Sequence, residues 1–323
     1  MKRLQPLIAC LLFALIWDVS LGLTPTQAAT FDDAMKVAPH RGELFVGIDH
    51  TQLSQHQDRE ALVTLAIGQG LLPAIMNEKA ACLESGKNVT RSIAVRQPGG
   101  GVLHILQGKF DKACTEDRLR GRLQGPLKKA KRDFTGEIAQ RSFVAISGSQ
   151  IALFLDTNHV LIGRPSHLKR VFTPGKKERR TAFNARGLRK LYRKANTSKA
   201  LLWSFSKVPK RLKDRVKNTR DAPFTKVQNV VVSAVGTRGA KVEIRATMDR
   251  PSDADELKGL LNKRIQERLG SSMLLRAIGI TAMVEQGLKL QTKGRVLVAT
   301  ITISPLQMGV LARSGGKILS ILR

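Results

Sequence analysis

The sequence predicts an α+β protein of two tandem, duplicated lobes, each an antiparallel sheet with helices packed on one face. Three observations lead there. The chain has 323 residues, more than one compact domain usually needs. Short alternating runs bounded by Gly, Pro and Asn recur as hairpins, with helical periods between them. One order of elements also occurs twice, offset by about 138 positions. Hydrophobic residues make up 42% of the chain and aromatics only 4%, so both cores must be largely aliphatic.

In the first lobe, 30–172, Glu43–Asp49 alternates and reads as a strand. A helix through Ala61, Leu62, Leu65, Ala66, Leu71 and Leu72 follows, and Gly68 and Gly70 are expected to break it. Val89–Arg96 and Val102–Lys109 flank Gln97-Pro98-Gly99-Gly100-Gly101, a hairpin signal. Asp111 is placed to cap a helix carrying Cys114, Leu119 and Leu123. Four short strands near Phe134–Ile138, Ser142–Ser147, Ile151–Asp156 and His159–Gly163 then read as an antiparallel meander.

A basic connector, 173–199, leads to the second lobe, 200–323. There Ala200–Ser206 is the opening strand, a basic helix runs past Pro209 to about Lys217, and Asn229–Ala234 with Val242–Met248 forms a hairpin. The offset of 138 lays Phe110-Asp111 on Met248-Asp249 and Leu119 on Leu257. Pro251, Ala254, Leu257, Leu260, Leu261, Ile265 and Leu269 mark an amphipathic helix. A more uniformly apolar helix, Met273–Val284, is expected to be buried. Leu288–Gln291 and Val296–Ile303 turn through Lys293-Gly294, and Pro305–Leu322 closes the chain as a helix interrupted at Gly315-Gly316.

Residues 1–29 read as a signal peptide: Lys2 and Arg3, the apolar run Leu7–Trp17, then small residues ending in Ala28-Ala29. That run is shorter than the ~20 residues a transmembrane helix needs, so no integral span is expected after cleavage. Leu7-Ile8-Ala9-Cys10 resembles a lipid-attachment box but precedes most of the apolar run, which disfavours lipidation. The expected location is the periplasm or the extracellular space. Cleavage leaves two cysteines, Cys82 and Cys114, an even count that favours a disulfide in an oxidising compartment.

The histidines support no catalytic or metal constellation. His50 and His56 fit neither one helical face nor a zinc spacing, and they read as solvated loop residues. His104 lies in an alternating strand and reads as a partly buried structural histidine; His40, His159 and His167 have no partner nearby in sequence. There is no Gly-x-Ser-x-Gly elbow and no phosphate loop, and Pro98-Gly99-Gly100-Gly101 precedes a strand, which makes a poor phosphate cradle. No enzyme and no cofactor is expected.

Charge is the feature that remains. The chain carries +30, and Arg164 to Arg220 holds twenty Lys or Arg against Glu178 and Asp214. Such a field attracts polyanions and disfavours self-association, so a monomer is expected. Phe183, Leu188, Leu191 and Tyr192 can share one side of a helix whose other side carries Arg186, Arg189, Lys190, Arg193 and Lys194. With Arg179, Arg180, Lys210, Arg211, Lys213 and Arg215 these form the candidate anion-binding patch. Tyr192, Trp203, Phe183 and Phe205 are the aromatic residues near enough to stack on nucleic acid bases.

The leader, Cys82, the hairpin, Gly108-Lys109-Phe110-Asp111, Cys114 and the opening of the second half near Trp203 resemble uncharacterised exported proteins of Gram-negative bacteria with two α+β lobes. The resemblance covers most of the mature chain and implies no activity; the basic connector departs from it. The expectation is an exported, non-enzymatic envelope or secreted protein whose basic surface binds a polyanion, namely lipopolysaccharide, an anionic lipid surface or nucleic acid. The alternative is a periplasmic carrier of a lipid or other hydrophobic ligand; a hydrolase assembled from distant loops comes third.

Overall fold

A computed structural model describes residues 31–55, 59–77, 82–98, 100–129, 133–172, 181–195, 200–236, 240–271 and 280–307. The expected leader, His56, the greater part of the expected helices at 273–284 and 305–322, and Arg179 and Arg180 lie outside them. The fold is α+β, with antiparallel sheet and helices in each of two compact units that divide between Lys190 and Leu191.

The first unit opens with α1 (Asp32–Val37), where Asp32 and Asp33 sit in the first turn and complement the helix dipole. Strand β1 (Leu44–Asp49) follows, then the single turn α2 (His50–Leu53). Asp49 caps that turn, its carboxylate accepting from the Thr51 and Gln52 amides at 3.0 and 3.1 Å. Helix α3 (Arg59–Gly68) ends as the two glycines predict. Gly70 takes φ +69°, the Leu71 amide reaches back to the Ala66 carbonyl and the Gly70 amide to that of Ile67, which is a Schellman stop.

The hairpin β2 (Val89–Arg96) and β3 (Val102–Gly108) forms where expected, and Asp111 caps α4 (Lys112–Lys129) by accepting from the Cys114 amide at 3.1 Å. The meander is β4 (Thr135–Ile138), β5 (Arg141–Ala145), β6 (Ile151–Phe154) and β7 (His159–Gly163), followed by α5 (Pro165–Phe172). Its last strand returns beside the hairpin, so the strand order within this unit is β1-β2-β3-β7-β6-β5-β4.

The strands β1, β2, β6 and β7 are buried along nearly their whole lengths, so both faces of this sheet are covered near its centre. Helix α2 lies against the face carrying Ser92, to which His50 is bonded, while Phe31 beside α1 stacks under the Arg91 guanidinium on the other, 5.6 Å from ring centroid to Cζ.

Helix α6 (Arg186–Ala195) carries the division, and the second unit continues with β8 (Leu202–Lys207), α7 (Lys210–Val216), and the hairpin β9 (Val227–Val235) and β10 (Ala240–Met248). Then come α8 (Pro251–Ser271), α9 (Ile280–Gly287), β11 (Leu288–Lys293) and β12 (Val296–Ile303). Within this unit the strand order is β8-β9-β10-β12-β11. Ala254 and Leu257 of α8 join Val216, Phe224, Val227, Met248 and Leu297 in one core, with Leu260 and Leu261 at its margin. Strand β11 alternates half-buried and exposed residues, as a sheet edge with one wet face does.

In each unit, then, an opening strand is joined by a hairpin, and the unit's last strand comes back beside the hairpin's second strand. Of the residues that the offset of 138 superposes, Phe110 and Met248, and Leu119 and Leu257, are all buried, but Phe110 lies past the end of β3 whereas Met248 is the last residue of β10.

Candidate functional site

Helix α6 is the most strongly patterned surface element. Leu188, Leu191, Tyr192 and Ala195 are buried, while Arg186, Arg189, Lys190, Arg193 and Lys194 are all exposed. Its ten residues include no acid. Phe183, read from sequence as part of the helix, precedes it in a turn and instead lies under the Arg189 guanidinium at 4.7 Å.

This charge is held against local preference. Arg186 and Arg189 occupy the first turn, where the helix dipole disfavours cations. The pairs Arg186 and Lys190, Arg189 and Arg193, and Lys190 and Lys194 stand at i,i+4, where each like-charge pair costs about 0.2–0.5 kcal/mol. The three pairs together are therefore disfavoured by about 1 kcal/mol, and burial of Leu188, Leu191 and Tyr192 must offset it. An anion on the exposed face would remove the repulsion.

A second basic helix, α7, presents Lys210, Arg211 and Arg215 to solvent and half-buries Lys213. Three of the four aromatic residues that sequence reading offered for base stacking are not available, and the fourth, Phe183, is half-buried under Arg189. Tyr192, Trp203 and Phe205 are within 2% of complete burial and engage one another, Tyr192 edge-on to Trp203 at 5.3 Å and Trp203 stacked on Phe205 at 5.7 Å. They belong to a core.

The first unit also has a cleft of about 430 Å3 that sequence reading missed. His104 faces Ile162 across β3 and β7, and Ala152 faces Ile162 across β6 and β7. Continuing that register, Gln150, Arg164 and Val102 fall in one row on the same face, one step towards the hairpin loop. Ile67, Leu72 and Pro73, at and beyond the end of α3, form the opposite wall.

His167, without a partner in the sequence reading, comes to this cleft from α5 because residue 101 is glycine: a Cβ there would meet the imidazole Cε1 at 1.8 Å. Burial, aided by Arg170 and Arg164 nearby, holds the His167 ring below its ordinary pKa. Burial pushes His104 down to about 4, opposed by a hydrogen bond with the Leu71 backbone.

No family model and no curated protein matches this chain. A solved structure described as "Structure of crystal form I of TP0453" is similar at 9% identity and a TM-score of 0.45, over 92% of this chain and 99% of that one.

The sequence expectation for His50 is overturned. It is fully buried, with Nδ1 2.7 Å from Ser85 Oγ and Nε2 2.8 Å from Ser92 Oγ, and burial pushes its pKa down to about 3. A neutral imidazole has one donor and one acceptor, so one serine donates to the ring and the other accepts. The physical reason for the error is that both partners lie far along the chain, beyond the reach of any local pattern.

Ser92 and His50 stand as a nucleophile and base would, yet both are closed off from solvent, and the neighbouring carboxylate is engaged elsewhere. Asp49 binds the α2 amides and lies beside Arg91, whose Nε is 3.5 Å away. The pair is therefore a clamp joining α2, the Ser85 loop and β2. His104 is a buried strand histidine as expected; His159 contacts Asp156 at 3.1 Å at the surface. Cys82 and Cys114 stand at disulfide distance, with Cα atoms 6.2 Å apart. Among the described residues no cluster of His, Cys, Asp or Glu suits a metal ion, and no helix is long and apolar enough to cross a membrane.

Proposed function

We propose that this is an exported, non-enzymatic protein that binds a polyanionic envelope component, lipopolysaccharide or an anionic lipid surface, through a basic surface centred on α6. The observation that carries the reading is the five-cation face of that helix, maintained against three like-charge pairs and, at Arg186 and Arg189, against the dipole, while the opposite face is anchored in a core. Residues that break a local rule without an internal gain point to an external partner.

Burial of Tyr192, Trp203 and Phe205 weighs against single-stranded nucleic acid, which needs exposed stacking platforms. The cavity expected for the lipid-carrier alternative, enclosed by Met273–Val284 and the sheet, falls mostly outside the described residues. The apolar cavity in the second unit, lined by Phe224, Val227, Ile244, Leu257 and Leu297 among others, measures about 30 Å3, far below the volume of an acyl chain. Among the described residues the cleft beside His104 is lined by two histidines and by no carboxylate that would make an acid–base pair for a hydrolytic reading. The two units are further proposed to be copies of one ancestral lobe, on the opening strand, hairpin and returning last strand that they share, although one has seven described strands and the other five.

The test compares two variants of equal charge. One reverses Arg186, Arg189, Lys190, Arg193 and Lys194 to Glu; the other reverses the exposed lysines Lys226, Lys241, Lys263, Lys289 and Lys293. Each reversal removes two charges, so both variants fall from +30 to +20. Retention on lipopolysaccharide or anionic vesicles, read as a function of salt, should collapse for the first and persist for the second. Equal losses would mean that only net charge matters, and unchanged retention would remove α6 from the interface.

A further inference from the structure

Among the described residues four arginines lie over phenylalanine rings, and what else their guanidinium groups do sets one of them apart. Arg91 lies over Phe31, is buried, and reaches Asp49 with its Nε at 3.5 Å. Arg120 lies over Phe134 and pairs with Glu116 at 3.8 Å, one turn earlier in α4. Arg141 lies over Phe172 and donates to the Ala139 carbonyl at 3.2 Å. Arg189 lies over Phe183 with its Cζ 4.7 Å from the ring centroid, and among the described residues no carboxylate or carbonyl takes up its guanidinium N–H groups. The ring closes one side of the guanidinium, while the residue as a whole is exposed.

The support under Arg189 is fixed. The Ala182 amide donates to the Ala38 carbonyl at 2.8 Å and the Phe183 amide to that of Met35 at 3.3 Å, and Thr181 forms a β-bridge with Pro39. The turn carrying Phe183 is thereby tied to the end of α1, and the Asn184 amide, donating to Thr181 Oγ1 at 3.3 Å, tightens it. Both members of the stack belong to the first unit.

An arginine held in this way can do what the lysines of α6 cannot. A guanidinium presents its donors in a planar fork that takes two oxygens of one group, whereas an ammonium acts as a point charge. A side chain free in solvent loses rotamer freedom when it grips a ligand; contact with a pinned ring restricts that freedom before binding. Arg186 and Arg193 carry the same fork, but among the described residues neither lies over a ring.

We propose that Arg189 is the residue of α6 that grips the polyanion, taking two terminal oxygens of one phosphoryl group, while Arg186, Lys190, Arg193 and Lys194 supply charge. The assignment rests on the reading of α6 as the binding surface. The phosphoryl group is the oxyanion that lipopolysaccharide and anionic phospholipids have in common.

Arg186→Lys, Arg189→Lys and Arg193→Lys each remove one fork and keep every charge. The full-length variants are titrated at fixed salt with lipopolysaccharide and, separately, with vesicles of phosphatidylcholine and phosphatidylglycerol in equal parts. Arg189→Lys should weaken binding by about fivefold to tenfold, and the other two by less than about twofold. The slope of affinity against salt should be the same in all three, because the number of cations is the same. Phe183→Leu, which removes the ring and leaves the cation, should weaken binding by itself and add little to Arg189→Lys in the double variant, as coupled residues do. A selective loss seen with one of the two probes supports the fork and identifies the source of the phosphoryl group.

Equal effects of the three Arg→Lys substitutions, with the five-residue Glu reversal still abolishing binding, would overturn the role of Arg189 and leave α6 as the surface. Unchanged binding in the Glu reversal would remove the surface and the assignment with it. Full additivity of Phe183→Leu and Arg189→Lys would show that ring and guanidinium act apart, which also overturns it. If Phe183→Leu loosens the turn, the three charge-conserving substitutions still decide the matter.

Discussion

Acidification should destabilise the first unit through His50, and the size of the effect follows from its surroundings. The ring is closed off from water and bonded to two neutral hydroxyls, so nothing inside compensates a positive charge, and its pKa falls from 6.5 to about 3. The unfolded chain takes up this proton near pH 6.5 and the folded one only near 3. Between those values the unfolded state binds more protons, and stability falls as pH falls. The two titrations give a loss of about 2 kcal/mol between about pH 7 and 5, approaching ~1.4 kcal/mol per pH unit in the steep part.

His104, pushed down to about 4 by burial, adds a loss of the same sign. Asp49 acts the other way: burial raises its carboxyl pKa, so its ionisation costs the folded state, and protonating it at low pH relieves that cost. The contribution of His50 is therefore isolated by difference. Urea unfolding followed by circular dichroism at pH 7, 6 and 5 is compared between the native chain and His50→Gln, whose amide can still meet both serines but does not titrate. The variant should be less stable at neutral pH, yet its decline from pH 7 to 5 should be smaller by about 2 kcal/mol. Parallel declines in the two proteins would show that His50 is not held neutral in the folded state.

Three further outcomes follow. The Cys82–Cys114 pair closes a sequence separation of 32, so replacing both by Ala should cost about 3 kcal/mol in the chain-entropy account; a thiol assay of the denatured, unreduced protein should detect neither cysteine. Leu191→Ala on the buried side of α6 should lower stability by about 3 kcal/mol, whereas Lys190→Ala on the exposed side, which removes two of the three like-charge pairs, should raise it by about 0.4–1 kcal/mol, both read from urea midpoints. Ala139 and Gln140, which turn β4 into β5 with φ of 52° and 62°, should be improved upon by Asn-Gly, raising thermal stability by about 1 kcal/mol; an unchanged melting temperature would argue against the left-handed turn.

What could be read from the chain alone follows the range of the forces involved. The strands, both hairpins, the Schellman stop at Gly70 and the Asp111 cap depend on neighbours a few residues away, and periodicity and turn chemistry find them. The two-sided pattern of α6 is also local, although Phe183 was drawn into the helix because spacing does not reveal where the first turn begins. The His50 clamp depends on Ser85 and Ser92, brought in by strand pairing, so Asp49-His50-Thr51-Gln52 looks like an ordinary polar strand end. The cleft needs β3, β6 and β7 in register. Its nearest sequence signals were a histidine on an alternating strand and the glycine run before it, each with an ordinary structural explanation. Burial of Trp203 and Phe205 follows from their places in β8.

The return of β7 to β3, and of β12 to β10, bears on the time course of folding. In each unit the first three strands come together early in the chain, but the centre of the sheet stays open on one side until its last strand arrives. Closure waits on a contact between distant parts of the chain, and loop-closure entropy makes such steps slow. Until His104 meets Ile162, β3 has an unsatisfied edge and the cleft lacks the strand that leads to Arg164. The cleft of the first unit needs β7 beside β3, so a truncated or nascent chain ending before β7 is expected to present an open strand edge where the complete protein has that cleft.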